Sequence, residues 1–381
     1  MNTPICEMFG IEFPLIAFTH CRDVVVAVSK AGGMGVFGAV AHPPDRLEEE
    51  LRWIDAHIEG KPYGIDLIVP NKMAEVSVGG LNRNKVEAAI PQEYFQFAAG
   101  ILAQHDISAE GLYSFRDETF RASQNMQASG AAETLEVAFS HPIKLVANAL
   151  GVPPRIMLEM GKRHDVRVAA LVGAKKHAIR QVQAGVDILI AAGGEAGGHC
   201  GDVSTLVLIP EIHAAIQPYG NIPILAAGGI VTGRQMAACM AMGAAGAWTG
   251  SVWLTTSEAE TNPVVKEKML HASSRDTVRS KARTGKYSRQ LRSPWTDAWE
   301  TEDSPAPLPM PLQSLVTEPA LGRVDKLSQS GHAGAKDLAT YWVGQGVGLM
   351  NLQMSAAAVV QEFKEDFFNA FVRLSDALEA E

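Results

Sequence analysis

A histidine inside a glycine-rich loop is the side chain of this sequence best suited to chemistry. His199 lies in AAGGEAGGHCG, residues 191–201, directly after an apolar run that is typical of a buried strand. Glycines let a ligand approach the backbone closely, and an imidazole can accept a proton from a carbon acid or bind an anion near neutral pH. A histidine that only hydrogen-bonds within its loop is the alternative. The glycine context favours a catalytic role.

Two later glycine turns suit a phosphate group. AAGGI (residues 226–230) and AWTGS (residues 247–251) come at the ends of two consecutive predicted strands. Backbone N–H groups of glycines, a short helix N-terminus and a hydroxyl together bind a phosphate dianion, and barrels commonly build such a site after their seventh and eighth strands. Gly228, Gly229, Gly250 and Ser251 are therefore the predicted phosphate contacts.

Three other features resemble known sites less closely. Residues 33–38 spell GxGxxG but follow a predicted helix and are themselves predicted to form a strand, which disfavours a Rossmann dinucleotide site. Residues 275–292 carry seven basic residues and one acidic residue, and could steer an anion or form a solvated or subunit-contacting loop. Cys200 has no partner at a metal-binding spacing, so we predict no metal site.

Composition indicates a globular chain that handles small molecules. The 381 residues are 47% hydrophobic and 20% charged, and 35 glycines suit many tight turns. A net charge of -9 disfavours nucleic-acid binding. The four cysteines lack CxxC spacing, which favours a reducing compartment. With no signal peptide and no apolar stretch of about 18 residues, we expect a cytoplasmic protein without a membrane span.

Eight short apolar runs must position these residues. They alternate with stretches such as PPRIMLEMGKRH, whose apolar residues recur at helical spacing. Eight strands too apolar to leave one face in water predict an α/β fold, a closed (β/α)8 TIM barrel. His199 and both glycine turns then follow the carboxyl ends of strands, where barrel active sites lie. The runs cover residues 13–18, 33–39, 63–69, 143–149, 167–172, 187–193, 222–228 and 246–251.

Two regions interrupt this alternation. Residues 71–136 are long and helix-like, and residues 255–341 include the proline-rich stretch SPAPLPMPL. We interpret the first as a helical insertion in a barrel that spans residues 1–254, and residues 255–340 as a cover over the barrel mouth. Residues 341–381 would then form a C-terminal segment with a helix at residues 355–378 that packs back on the barrel.

Taken together, these segments resemble the nitronate monooxygenase (2-nitropropane dioxygenase) family. FGIEFPLI, SKAGGMGVFG, GVDILIAAGGEAGGHCG and IPILAAGGIVTGRQMAACMAMGAAGAWTGS are similar to successive family segments, as are KEKMLHASSRDTVRSKARTGKYSRQLR and YWVGQGVGLM. The resemblance extends over nearly the whole chain, and the EAGGH loop is its most specific part.

The resemblance implies an FMN-dependent oxidoreductase, with His199 at the position of the family's active-site histidine. In such enzymes a nitronate, or a nitroalkane deprotonated at its α-carbon, reduces the flavin, O2 reacts, and a carbonyl compound and nitrite form. A small-molecule substrate and O2 would be the partners. The flavin-contacting positions that the resemblance implies are Ala17, Phe18, Asp66, Ala192, Gly193, Gly197, Gly198, Gly228, Gly229, Trp248, Thr249, Gly250 and Ser251.

Several positions depart from the family's usual residues. Where the family often has Ala-Pro-Met-Gly after the first strand, this chain has AFTH, residues 17–20. Ala192 replaces a frequent glutamine, Asp66 a frequent asparagine and Val252 a common arginine, and these changes alter the flavin environment and the substrate pocket. One hypothesis is that His20 joins His199 in binding an anionic substrate. The alternative is a histidine hydrogen-bonded to the loop backbone.

Two other functions stay open at the level of sequence. Flavin-dependent enoyl reductases and NAD(P)H:quinone reductases of the same barrel superfamily carry a similar EAGGH loop, but they take electrons from NAD(P)H. The second alternative is a barrel that binds flavin without turnover, which the intact His199 disfavours. The motifs determine neither the substrate nor the oligomeric state, for which a homodimer is one option.

Overall fold

Eight parallel strands form a closed barrel. The computed structural model describes residues 1–69, 89–113 and 128–379, and in it the strand order is β1-β2-β3-β4-β5-β6-β8-β9, with β9 pairing back onto β1. The barrel strands are β1 (Leu15–Thr19), β2 (Met34–Gly38), β3 (Tyr63–Leu67), β4 (Leu145–Asn148), β5 (Arg167–Val172), β6 (Ile188–Ala192), β8 (Ile224–Ala227) and β9 (Gly246–Thr249). The predicted TIM barrel is confirmed, and the GxGxxG stretch forms β2 as predicted.

The barrel strands are apolar throughout because both of their faces are buried. Alternate residues point to opposite faces of a strand. Ile16 and Ile190 belong to the cluster that fills the barrel interior, whereas their neighbours Leu15 and Leu189 pack in the cluster that includes the surrounding helices. This two-sided burial explains why the strands appear in the sequence as continuous apolar runs.

Helices surround the barrel and close its lower end. Thr3 caps the first helix by accepting a hydrogen bond from the Cys6 backbone N–H at 3.2 Å, and Ile5 and Phe9 of that helix join the interior cluster. Within the described ranges the first nine helices, in chain order, are α1 (Pro4–Phe9), α2 (Arg22–Lys30), α3 (Pro44–His57), α4 (Gln92–Ala103), α5 (Ala128–Ser140), α6 (Arg155–His164), α7 (Lys175–Ala184), α8 (Thr205–Ile216) and α9 (Gly233–Ala241). Much of the predicted insertion at residues 71–136 lies outside the described residues; α4 and the beginning of α5 belong to its described part.

The segment after β9 forms a small sheet with the His199 loop. Strand β11 (Ser288–Leu291) pairs antiparallel with β10 (Thr277–Ser280) and also with β7 (Gly198–His199), a two-residue strand of the glycine-rich loop. The helices of this segment are α10 (Pro263–His271), α11 (Pro294–Ala298), α12 (Leu312–Gln329) and α13 (Ala333–Leu338). Its role as a cover remains a prediction, but it contributes residues to the cavity described below.

The last helix, α14 (Ala356–Glu379), packs against α9 and α2 on the outside of the barrel. Gly233 begins α9 at this contact, and a Cβ atom there would lie 2.0 Å from the Phe363 carbonyl oxygen, so only glycine allows the approach. The Arg234 side chain and backbone both donate to Asp366. Within the described part of the chain, no helix is both long and apolar enough to cross a membrane.

Candidate active site

A cavity of about 550 Å³ opens at the carboxyl ends of the barrel strands. Inward-facing residues of six strands form its floor. Phe18 and Trp248 stack there with their ring centroids 6.0 Å apart. The floor residues are Phe18, Asp66, Leu171, Ala192, Ala227 and Trp248. The cavity thus has a mainly apolar base with one carboxyl group in it.

The cavity brings together most of the residues that the sequence singled out. Ala17 is not among the lining residues, because its side chain points outward and is fully buried in the cluster that includes the helices. Gly193 is also absent, because it packs against Thr205, whose backbone nitrogen would lie 2.4 Å from an added Cβ. Those that do line it are Phe18, His20, Asp66, Ala192, Gly197, Gly198, His199, Gly228, Gly229, Trp248, Thr249, Gly250 and Ser251.

His199 is held by the hairpin formed by β10 and β11. Its strand β7 pairs with β11, with His199 opposite Ser288. Arg289 on β11 reaches back into the same loop and donates from Nη2 (2.8 Å) and Nε (3.2 Å) to the Gly194 carbonyl oxygen. Gly198 has φ of +70°, a conformation that favours glycine, at the start of this strand. The hairpin therefore fixes the position of the imidazole.

The hydrogen bonds of His199 indicate which ring nitrogen is free to act as a base. Its Nε2 lies 2.9 Å from Thr284 Oγ1, and Thr284 directs its single hydroxyl proton to the Lys286 carbonyl oxygen at 3.2 Å. With that proton on the Lys286 carbonyl oxygen, Nε2 donates to Thr284 and the lone pair is on Nδ1. Desolvation, followed by the positive charge of Lys286, lowers the pKa of His199. The ring is therefore neutral near pH 7 and suited to accept a proton.

Glu195 of the same loop positions the backbone. Its Oε2 accepts hydrogen bonds from the Thr205 backbone N–H at 2.9 Å and from the Thr205 hydroxyl at 3.0 Å, at the N-terminus of α8. A carboxylate at a helix N-terminus is favourable because it meets unpaired N–H groups and the positive end of the helix dipole. The acidic residue of the EAGGH stretch thus anchors the loop to the next helix.

Gly228 and Gly229 present the predicted phosphate-binding backbone. Both have positive φ, +104° and +71°, and both line the cavity. Among the described residues, neither backbone N–H has an acceptor in the protein. A Cβ atom on Gly229 would lie 2.9 Å from Glu195 Cβ, so a side chain would crowd the adjoining loop. Two unpaired N–H groups at a cavity wall suit an anionic ligand.

A loop near the C-terminus completes this wall and was not given a role by the sequence analysis. The Gly344 N–H donates to Ser251 Oγ at 2.8 Å, which leaves the Ser251 hydroxyl proton available to a ligand. Gln345 N–H donates to the Glu195 carbonyl oxygen at 2.9 Å. A Cβ on Gly197 would lie 2.7 Å from the Val343 carbonyl carbon, so this contact needs glycine. The glycines of VGQG, residues 343–346, could have indicated this close contact in the sequence.

These donors fit a flavin nucleotide. The N–H groups of Gly228 and Gly229 and the Ser251 hydroxyl are neutral donors beside the short 3-10 helix Ser251–Thr255, which suits a phosphate. The stacked Phe18 and Trp248 give the apolar floor that a planar ring system needs. A volume of about 550 Å³ lies within the usual range of cofactor sites.

Asp66 is the carboxyl group in the cavity floor. It is 3% exposed, and among the described residues nothing donates to its side-chain oxygens. Burial raises its pKa well above the ordinary value. Its place in the flavin site was implied by the family resemblance, but its lack of a hydrogen-bond partner among the described residues was not predicted.

His20 makes the backbone hydrogen bond that the alternative interpretation predicted. Its Nδ1 lies 2.9 Å from the Gly38 carbonyl oxygen, which can only accept, so Nδ1 carries the proton. Burial lowers the pKa of His20 even though that hydrogen bond opposes the shift. With the proton on Nδ1, the Nε2 atom of the neutral ring is an acceptor. Binding of an anionic substrate by His20 stays a prediction.

The opposite side of the cavity comes from the segment after β9, and its individual residues were not predicted. Asn262 donates to Asp325 Oδ1 at 2.7 Å, and both residues line the cavity. Within the described residues, Cys21, Asp23 and Glu260 have potential metal-ligand atoms within 4.8 Å of one another, and neither His199 nor Cys200 belongs to this group. No local motif marks these residues, because they meet only through the fold.

The basic run at residues 275–292 is mainly structural. Besides Arg289, which holds the His199 loop, Arg279 pairs with Asp202, Arg283 with Glu318 and Arg292 with Asp297. Arg283 is buried and makes two bonds to its carboxylate partner, at 2.8 and 3.1 Å. The run forms a hairpin that pairs with the His199 strand. Neither anion steering nor a solvated or subunit-contacting loop, the two interpretations of its charge, predicted this hairpin.

Comparison with known proteins agrees with this geometry. The family model described as nitronate monooxygenase matches residues 2–366. The chain is 48% identical to a Mycobacterium tuberculosis protein named as a monooxygenase, over 98% of each chain. It is 25% identical to a Staphylococcus saprophyticus protein named as a nitronate monooxygenase, over 95% of this chain and 96% of the relative.

Solved structures share the fold over nearly the whole length. A nitroalkane oxidase from Streptomyces ansochromogenes superposes with a TM-score of 0.77 at 24% identity, covering 97% of this chain and 99% of that one. FabK from Thermotoga maritima gives a TM-score of 0.71 at 26% identity, covering 99% of both chains. Fold and site define a flavin-dependent oxidoreductase built on a TIM barrel. Within that class, the chain belongs to the nitronate monooxygenase family.

Proposed function

We propose that the protein binds FMN in this cavity and uses O2 to oxidise alkyl nitronates or nitroalkanes to a carbonyl compound and nitrite. The observation that carries the proposal is the convergence of His199 with the unpaired N–H groups of Gly228 and Gly229 on one cavity. Family membership supports the same chemistry.

The flavin would be held mainly by backbone. The phosphate would accept hydrogen bonds from Gly228 and Gly229 and from the Ser251 hydroxyl, which Gly344 orients. The ring system would lie over Phe18 and Trp248. Bound FMN supplies the redox chemistry, so the protein itself need only orient the substrate, move a proton and admit O2.

His199 would act on nitroalkanes as a general base. The C–H bond at the α-carbon breaks, the proton passes to Nδ1, and the electron pair moves onto the nitro group to give the nitronate. Thr284 keeps Nε2 protonated, so Nδ1 is the nitrogen with a free lone pair. Two nitronates and one O2 then balance as two carbonyl compounds and two nitrites. A nitronate substrate does not need the base, because it has already lost the proton.

Comparing nitroethane with ethyl nitronate tests both the reaction and the base. Nitrite release and O2 uptake would be measured with the FMN-loaded wild type and His199→Gln. We expect the variant to lose far more activity on nitroethane than on the nitronate. Equal losses on both substrates would make His199 an anion partner instead of a base. If the wild type released nitrite from neither nitroethane nor ethyl nitronate, the proposed reaction would be refuted.

A further inference from the structure

Asp66 occupies an unusual place for an ionisable side chain. It lies on β3, next to Gly38 of β2 and Ala147 of β4 in the strand register, and it points into the barrel interior. Its side chain is 3% exposed yet lines the cavity. The remaining floor is made of Phe18, Leu171, Ala192, Ala227 and Trp248, none of which forms a hydrogen bond with it.

None of the described polar groups around Asp66 forms a hydrogen bond with its side chain. Directly after β1, His20 donates its Nδ1 proton to the Gly38 carbonyl oxygen. From β4, Asn148 donates to the carbonyl oxygens of Leu150 and Gly151, and its oxygen accepts from the Val69 N–H. After β2, His42 packs its ring against Phe37, and its buried Nδ1 has no hydrogen-bond partner among the described residues. No lysine or arginine among the described residues pairs with the Asp66 carboxyl.

We propose that Asp66 is a hydrogen-bond donor of the cavity, a neutral carboxylic acid whose O–H is given to an acceptor atom of the bound ligand. A carboxylate buried without a cation or donors is strongly disfavoured, so the side chain keeps its proton. Its O–H then needs an acceptor, and no described residue accepts a hydrogen bond from it. The acceptor would be a carbonyl oxygen or unprotonated ring nitrogen of the flavin, or an oxygen of a nitro or nitronate group.

The surrounding charges agree with this state. Desolvation is the cause that raises the pKa of Asp66, without an opposing cation. Burial also lowers the pKa of His20 and of His42, so both rings are uncharged near pH 7 and cannot hold Asp66 as a carboxylate. A buried carboxylic acid that donates to a ligand at neutral pH is an established use of such a site. This inference rests on the proposed binding of flavin in the cavity.

Infrared difference spectroscopy tests the proton directly. The C=O stretch of a carboxylic acid is distinct from carboxylate bands, and it shifts when the O–H donates. We expect the wild-type apoprotein at pH 7 to show such a band, Asp66→Asn to lack it, and the control Asp187→Asn to keep it. Asp187 is a suitable control because its Oδ2 accepts from the Val168 N–H at 2.8 Å at the opposite end of the barrel. Absence of a band that depends on Asp66 would overturn the proposal.

Two ligand arms identify the acceptor. Adding FMN to the apoprotein should shift the band if the flavin accepts; a shift only when nitroethane is added to the FMN-loaded protein assigns the substrate. In the arm that shifts, the dissociation constant should rise tenfold per pH unit above the pKa of Asp66 and stay flat for Asp66→Asn. A band that neither ligand shifts would contradict the proposal. Neither arm requires turnover, so failure of the nitronate reaction would leave this test standing.

Discussion

The two ends of the barrel differ in whether their polar groups have partners within the protein. At the lower end, Tyr63 donates to Asp55 at 2.6 Å, and the two ring nitrogens of His141 contact Asp55 at 2.6 Å and Glu48 at 2.9 Å. At the upper end, Asp66 and the N–H groups of Gly228 and Gly229 have no protein partner among the described residues.

This difference separates stability from function. Buried polar groups are nearly always paired within a protein, so groups left unpaired at a cavity indicate a ligand that pairs them. The lower network joins α3 to His141, which lies between α5 and β4, and the hydrogen bond from His141 lowers the pKa of Glu48. The lower end of the barrel therefore stabilises the fold, and the upper end has the groups that suit a ligand.

The largest expected effect is loss of catalysis on removing His199. His199→Gln should lower kcat on nitroethane by about 10²- to 10⁴-fold, the usual contribution of a general base. Flavin affinity should stay unchanged, because the proposed phosphate contacts belong to other loops. Steady-state kinetics with a parallel FMN titration would measure both. A variant that turns over nitroethane at the wild-type rate would remove His199 from the mechanism.

Asp66→Asn should change stability in a pH-dependent way. The unfolded carboxyl loses its proton near its ordinary pKa of about 4, whereas the folded one retains it to higher pH. Between those two pKa values the native state binds more protons, so the wild type loses about 1.4 kcal/mol of stability per pH unit from this group. The variant avoids that loss. Urea unfolding of both proteins from pH 5 to 8 should show a difference in unfolding free energy that grows with pH; a constant difference would contradict the raised pKa.

Gly229→Ala should weaken flavin binding. A non-glycine residue at φ of +71° costs about 1–2 kcal/mol, and the new Cβ would press on Glu195. We expect FMN affinity, measured by fluorescence titration, to fall about tenfold or more. Gly185→Ala is the matched control, because Gly185 also has positive φ (+92°) but ends α7 with open space around it. If both variants bound FMN equally well, the upper glycines would not form the ligand site.

The smallest effect on function should come from the lower network. His141→Gln removes at least one of the two hydrogen bonds to Asp55 and Glu48, and we expect it to lower the free energy of unfolding by about 1–3 kcal/mol. FMN affinity and kcat should not change. Chemical denaturation and flavin titration on the same preparation would test this, and altered flavin affinity would show that the two ends are coupled.

The sequence was most informative where the determinants are local. Continuous apolar runs predicted the barrel strands, and the glycine turns at residues 226–230 and 247–251 do line the cavity. The GxGxxG stretch was correctly interpreted as a strand, because the residues before it have helical periodicity.

The rest depended on contacts between distant residues. Thr284 is 85 positions from His199, and Arg289 is 95 from Gly194, so no window of sequence joins them. The hairpin that carries Thr284 and Arg289 was interpreted only as a run of basic residues. The Thr284-Gly285 turn between two short strands could have predicted it. The unpaired state of Asp66 could not be predicted at all, because it follows from what the neighbouring strands place beside it.

Anaerobic reduction of the flavin tests the central claim most directly. The FMN-loaded protein would be mixed without O2 with propionate 3-nitronate, nitroethane, NADH and NADPH in separate experiments, and flavin absorbance would be followed. Oxidation of nitronates predicts rapid bleaching by propionate 3-nitronate and none by NADH or NADPH. Bleaching by NADH or NADPH but not by either nitro compound would contradict the account and assign the barrel to the nicotinamide-dependent reductases.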